Sequence, residues 1–138
     1  MRRAAAIPAL ALATLAGCGS GGIESADLFA VARAGSLPGA RLGLVVNDGG
    51  TVRCNRGRER LLPSADLLEA RELQRELAKP ARRELRLAPG PGSLLRYRVR
   101  SGNGTVAWSD TSRRQPKVLY RLAAFTRDVA MRVCRLPR

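Results

Sequence analysis

Two hydrophobic rhythms share this chain, one of period two and one of helical period, and their order predicts the fold. The first begins over residues 27–33, where Leu28, Ala30 and Ala32 fall on one face and Phe29 and Val31 on the other. That alternation predicts a strand. Gly35-Ser36-Leu37-Pro38-Gly39 reads as a loop on glycine and proline grounds. From Arg41 to Asn47 the alternation is cleaner, with Leu42, Leu44 and Val46 together. Asp48-Gly49-Gly50 supplies glycines that accept the positive φ of a primed hairpin turn, and Thr51–Asn55 returns with Val52 and Cys54 on one face.

After Pro63 the period changes. Leu67, Ala70, Leu73 and Leu77 recur at helical spacing, while Glu69, Arg71, Glu72, Arg75 and Glu76 cover the other side. Ser64 is the candidate N-cap and Pro80 the expected stop. A basic connector, 82–86, and the rigid Pro89-Gly90-Pro91-Gly92 follow. Leu95, Tyr97 and Val99 then alternate with Arg96, Arg98 and Arg100, Gly102-Asn103-Gly104 turns the chain, and Val106 and Trp108 continue the apolar face. Gln115-Pro116 opens a last helix with the stripe Val118, Leu122, Phe125, Val129 and Val133. The reading is a single α+β domain over residues 27–138 in the order βββαββα. Its antiparallel sheet, made of two hairpins, packs against two helices.

Ahead of this domain the pattern is of another kind. Arg2 and Arg3 precede an uncharged run from Ala4 to Leu15, about half the length a membrane span needs. Such a basic start and short apolar stretch describe an export signal over residues 1–17. The run closes on Leu15-Ala16-Gly17-Cys18, and there the chain resembles bacterial lipoproteins. The resemblance implies a diacylglyceryl group on the Cys18 sulfur, cleavage between Gly17 and Cys18, and acyl chains such as palmitate on the mature first residue. Residues 18–26, with Gly19-Ser20-Gly21-Gly22, then form a flexible tether. The expected location is the extracytoplasmic face of the cell membrane, with the lipid on Cys18 as the membrane contact.

Composition narrows the chemistry. Removal of residues 1–17 from the 138-residue chain leaves 121, enough for one modest core. The chain has no histidine, which excludes Ser-His-Asp and Cys-His catalysis and the usual histidine-containing zinc sites. The eleven acidic residues form no paired constellation in the sequence, so the reading is of no enzyme, with no cofactor and no metal. Of the three cysteines, Cys54 and Cys134 remain once Cys18 carries lipid. In an oxidising compartment that even count favours a disulfide closing a loop of about 80 residues, worth roughly 4 to 5 kcal/mol by chain entropy. A reactive thiol pair is the alternative.

The net charge of +14 is almost all arginine. It suits an anionic partner such as phospholipid head groups or a wall polyphosphate; it also suits arginine codon bias, with the charge merely solvating the surface. Nucleic acid does not suit an exported, tethered domain. The candidate anionic-ligand site is Arg96, Arg98 and Arg100, which a strand would display on one face about 6 to 7 Å apart, ready to grip phosphates in bidentate fashion. The competing reading is a solvated outer face whose arginine stems cover apolar sheet. Tyr97 and Trp108 are expected in the core.

Taken whole, the chain resembles small lipoproteins of high-GC Gram-positive bacteria, through the lipobox, the 48–54 turn and strand and the 95–110 hairpin. A fainter similarity of layout, across residues 27–133, is to emfourins, inhibitors of thermolysin-like metalloproteases. It implies no particular inhibitory residue. The function expected is a lipid-anchored binding module at the envelope, for a protein or an anionic polymer; the alternative is an emfourin-like protease inhibitor.

Overall fold

The computed structural model describes residues 26–137. The expected export signal, the expected lipidation site Cys18, the expected tether up to residue 25, and Arg138 lie outside the described residues. The elements are β1 (Asp27–Gly35), β2 (Leu42–Asn47), β3 (Thr51–Cys54), β4 (Glu59–Leu61), α1 (Ser64–Arg82), β5 (Leu95–Ser101), β6 (Gly104–Ser109) and α2 (Lys117–Arg132). The fold is α+β: a six-stranded sheet in the order β4-β3-β2-β1-β5-β6, with every neighbouring pair antiparallel and both helices against one face.

β1 joins the two hairpins. It pairs with β2 on one side, Val31 opposite Leu44, and with β5 on the other, Val31 opposite Val99. The helix-facing side therefore collects Phe29, Val31, Leu44, Val46, Val52, Val99 and Val106, all at most 2 % exposed. Leu73 and Leu77 of α1 and Leu119, Leu122 and Val129 of α2 close over them, fully buried. Phe29 meets Phe125 edge to face at 6.0 Å, and Tyr97 stacks on Trp108 at 5.0 Å, so both predicted core aromatics lie inside. Each such side chain contributes about 1.5–3 kcal/mol by leaving water.

Four expectations are corrected. The strand β4 lacks a hydrophobic signal because all three of its residues are exposed, Leu61 at 83 %; it makes the order ββββαββα. In β1 the faces do not divide as predicted, since Leu28 is buried together with Phe29 and Val31. A register irregularity between Asp27 and Phe29 turns both neighbours inward. Ser64 is not the cap of α1: Pro63 holds that position with extended backbone, and no side chain caps the helix. Pro80 does not stop α1 either. It sits in the last turn, so only Ala81 and Arg82 follow it in the helix, and Ala81 is buried. Gly104, at φ +131°, permits that contact, because a Cβ there would lie 2.4 Å from the Ala81 carbonyl oxygen.

The outer edges are blunted. β4 is short and charged, and the predicted connector after α1 runs beside β6, where the Leu87 N–H donates to Ala107 O and the Ala107 N–H to Leu85 O. Behind the sheet, Cys54 at the end of β3 and Cys134 just past α2 lie with sulfurs 2.10 Å apart and Cα atoms 6.2 Å apart.

Two stability outcomes follow. Cys134→Ala is expected to lower unfolding free energy by about 2–5 kcal/mol, read by denaturant titration against oxidised wild type. An unchanged midpoint, or free thiol in protein purified under oxidising conditions, would contradict the cross-link. Thr126 is fully buried in α2 and its hydroxyl has no hydrogen-bond partner among the described residues. Thr126→Val removes that desolvated group at nearly constant shape and should raise stability by about 1 kcal/mol; a loss instead would mean the hydroxyl is satisfied in solution.

Candidate functional site

A sheet packed on one face leaves the other free to display what its alternate positions carry. Here the register lines these positions up. Arg100, Arg98 and Arg96 of β5 lie opposite Ala30, Ala32 and Ala34 of β1. On the far side Ala30 lies opposite Val45 and Ala32 opposite Gly43 of β2, and Val45 in turn faces Arg53 of β3. The result is a trough of about 1330 Å³ with a floor of methyl groups and bare backbone. Arg98 and Arg100 form one wall; Arg53, Arg56 and Arg58 the other, with Arg41 at one end. Arg53 and Arg100 are three strand spacings apart, roughly 14 Å.

The predicted row is thus on one exposed face, but it is divided. Arg98 and Arg100 line the trough, whereas Arg96 lines an adjoining cleft of about 210 Å³ with Gly35, Ser36 and Pro89. Sequence reading missed the opposite wall. Arg53 was within reach, because the Asp48-Gly49-Gly50 turn sets it opposite Val45; the placement of both across β1 was not.

The charges of the molecule are segregated. Glu69, Glu72 and Glu76 of α1 converge on Arg121, which they hold firmly protonated, Glu69 first through its hydrogen bonds. Asp66 pairs with Arg132, Asp48 with Arg71, and Asp128 with Arg127. Among the residues lining the trough the one carboxylate is Glu59, and Arg53 holds it at 2.6 Å. Arg96, Arg98 and Arg100 are exposed and make no ion pair or side-chain hydrogen bond among the described residues.

Local devices fix both walls. The turn after β3 places Asn55 at φ 49° and Arg56 at φ 60°, and the Gly57 N–H donates to Cys54 O at 2.8 Å. Asn55 extends the ladder, since its Oδ1 accepts the Gly43 N–H and its own N–H donates to Gly43 O, both at 2.8 Å. Asparagine tolerates this left-handed backbone; arginine does so at a cost of about 1 kcal/mol or more. Arg114 and Arg135 share that conformation elsewhere, so the strain at Arg56 is not by itself a sign of function. On the other wall, Asp110 accepts hydrogen bonds from the Leu94 and Leu95 N–H groups and the Ser93 hydroxyl, which pins the start of β5. Burial pushes the Asp110 carboxyl up, but these hydrogen bonds outweigh it and leave it below its ordinary value of 3.8.

A second cleft, about 590 Å³, lies between the 35–39 loop and the end of α2, walled by Leu37, Leu95 and Met131. Of its three arginines two are committed, Arg33 to Gly39 O and Ala40 O and Arg127 to Asp128, and the third, Arg41, also lines the trough. The trough is therefore the stronger candidate. Among the described residues no helix is long and apolar enough to cross a membrane. The chain matches no protein-family model, no curated protein and no solved structure.

Because the folded Asp110 pKa is depressed, its contribution to stability is complete above the unfolded value near 3.8 and is lost as pH falls through the lower folded value. Asp110→Asn should therefore flatten the acid side of the stability curve, with its deficit largest at neutral pH. A deficit that stays constant from pH 7 to pH 2 would show that the carboxylate's charge is not what holds β5.

Proposed function

We propose that this chain is a lipid-anchored binding module of the extracytoplasmic membrane face, and that its uncovered sheet face binds an anionic envelope partner. The observation that carries the second half is the segregation of charge. The helix layer neutralises its acids internally, whereas the β5 arginines stand without carboxylate partners among the described residues, beside a floor too short to obstruct a ligand. Unpaired guanidiniums on a rigid strand are pre-ordered to accept phosphate or carboxylate oxygens two at a time. The first half rests on Leu15-Ala16-Gly17-Cys18 after a basic, uncharged-apolar leader. Stable retention then requires more than one acyl chain on Cys18, since a single chain anchors only marginally. The missing histidines support binding over catalysis.

Two experiments test this reading. Wild-type protein should fractionate with membranes and yield an acylated Cys18 peptide by mass spectrometry, and Cys18→Ser should lose both; an unmodified wild-type peptide would end the anchoring proposal. For the face, the full chain carrying Cys18→Ser is measured on phosphatidylglycerol vesicles with and without Arg56→Gly. Glycine suits the left-handed turn position, so thermal stability should hold or rise while vesicle affinity drops about three- to tenfold. Undiminished binding would remove the trough from the site.

A further inference from the structure

We infer that the ligand of the trough is a single extended polyol-phosphate chain with six backbone bonds per phosphate, a 1,3-linked glycerol phosphate polymer being the simplest. This rests on the anionic-face reading above and gives that face a chemical class. The warrant is commensurate spacing. Side chains on one face of a strand recur every second residue, hence every six backbone bonds, which is about 6.6–7 Å. A polymer with six backbone bonds between phosphates advances by a closely similar step when extended, about 7 Å, because three such bonds span at most ~3.3–3.6 Å in a polypeptide. Successive phosphates would then meet Arg100 and Arg98 in the trough and Arg96 in the adjoining cleft, each guanidinium facing one phosphate.

The trough matches the rest of such a chain. Its width, roughly 14 Å between the Arg53 and Arg100 backbones, suits one extended strand of polymer. Ala30, Ala32, Ala34 and Gly43 along the floor offer methyl and backbone surface to an aliphatic polyol and leave the arginines standing proud. A nucleic acid strand also has six backbone bonds per phosphate, but single strands are held by base stacking on aromatic side chains. All five aromatics of this chain are elsewhere: Phe29, Tyr97, Trp108 and Phe125 are in the core, and Tyr120 is on α2. A bilayer surface is flat and would touch only the arginine rims of the two walls, whereas an extended chain also reaches the β1 positions recessed between them.

The test uses the full chain carrying Cys18→Ser. It is titrated with synthetic 1,3-linked glycerol phosphate oligomers, inorganic polyphosphate, a single-stranded oligonucleotide of equal charge, and phosphatidylglycerol vesicles. Glycerol phosphate oligomers should bind most tightly, with affinity climbing steeply from one to three repeats. Reversal of the row (Arg96→Glu, Arg98→Glu, Arg100→Glu) should lower that affinity about 100-fold at low salt and reduce the salt slope by about 2. The charge-matched control Arg75→Glu, Arg113→Glu, Lys117→Glu, exposed positions outside the trough and free of ion pairs among the described residues, should lose far less. Circular dichroism of both triple variants verifies folding. Tighter binding of polyphosphate or oligonucleotide at equal charge would overturn the spacing argument, as would equal losses from the two triple variants. Row-dependent binding to vesicles alone would overturn the polymer and leave the anionic face standing. No binding to any probe would overturn both.

Discussion

The two-sided pairing of β1 is the constraint on which everything else in this domain depends. A hairpin alone is marginal in water, and this chain contains two, separated by a helix and a long connector. β1 satisfies the open edges of both at once, with Val31 at the centre between Leu44 and Val99. That single placement makes one six-stranded sheet out of two ribbons and gives α1 and α2 a continuous apolar surface to cover. It also decides what the other face looks like. Because β1 carries alanine at each outward position between Ala30 and Ala34, the middle of the sheet sinks and the flanking arginines rise.

Charge follows the same division. On the helix side Arg121 sits among Glu69, Glu72 and Glu76, tying α2 to α1 through a network whose members are only about a third to a half exposed. Isolated surface pairs contribute little, but a network with one guanidinium shared by three carboxylates fixes the crossing of the two helices. Consuming the acids there leaves Glu59, paired with Arg53, as the one carboxylate lining the trough. A protein with this much arginine repels itself, and the fold bears that repulsion where side chains are long, exposed and free to spread.

Much of this was legible because it was local. The Leu95–Val99 alternation, the Asp48-Gly49-Gly50 turn and the two helical stripes each announce themselves within a dozen residues, and the α+β class follows. The failures have physical causes as well. β4 is an edge strand held by its ladder to β3, so it buries nothing and shows no pattern. Pro80 reads as a stop in sequence, yet only tertiary burial of Ala81 decides that the helix continues. The arginine row was visible at Arg96, Arg98 and Arg100, but not its partner wall, since the neighbours of β1 are set by pairings about 70 residues apart in the chain, Val31 with Val99.

The link between Cys54 and Cys134 has a consequence for where the trough becomes a trough. Cys54 is the residue immediately before the Asn55–Arg56 turn, so the sulfur bridge grips the outer wall from behind and ties it to the end of α2. β3 and β4 together offer only seven residues, and their far edge is open. Without the bridge that wall is the least supported part of the sheet, free to fray while β1, β5 and the helices stay folded. Thiols join in oxidising surroundings and stay apart in reducing ones. The rigidity of the trough is thereby made conditional on its redox surroundings: in a reducing compartment the chain would own the same arginines without their fixed geometry.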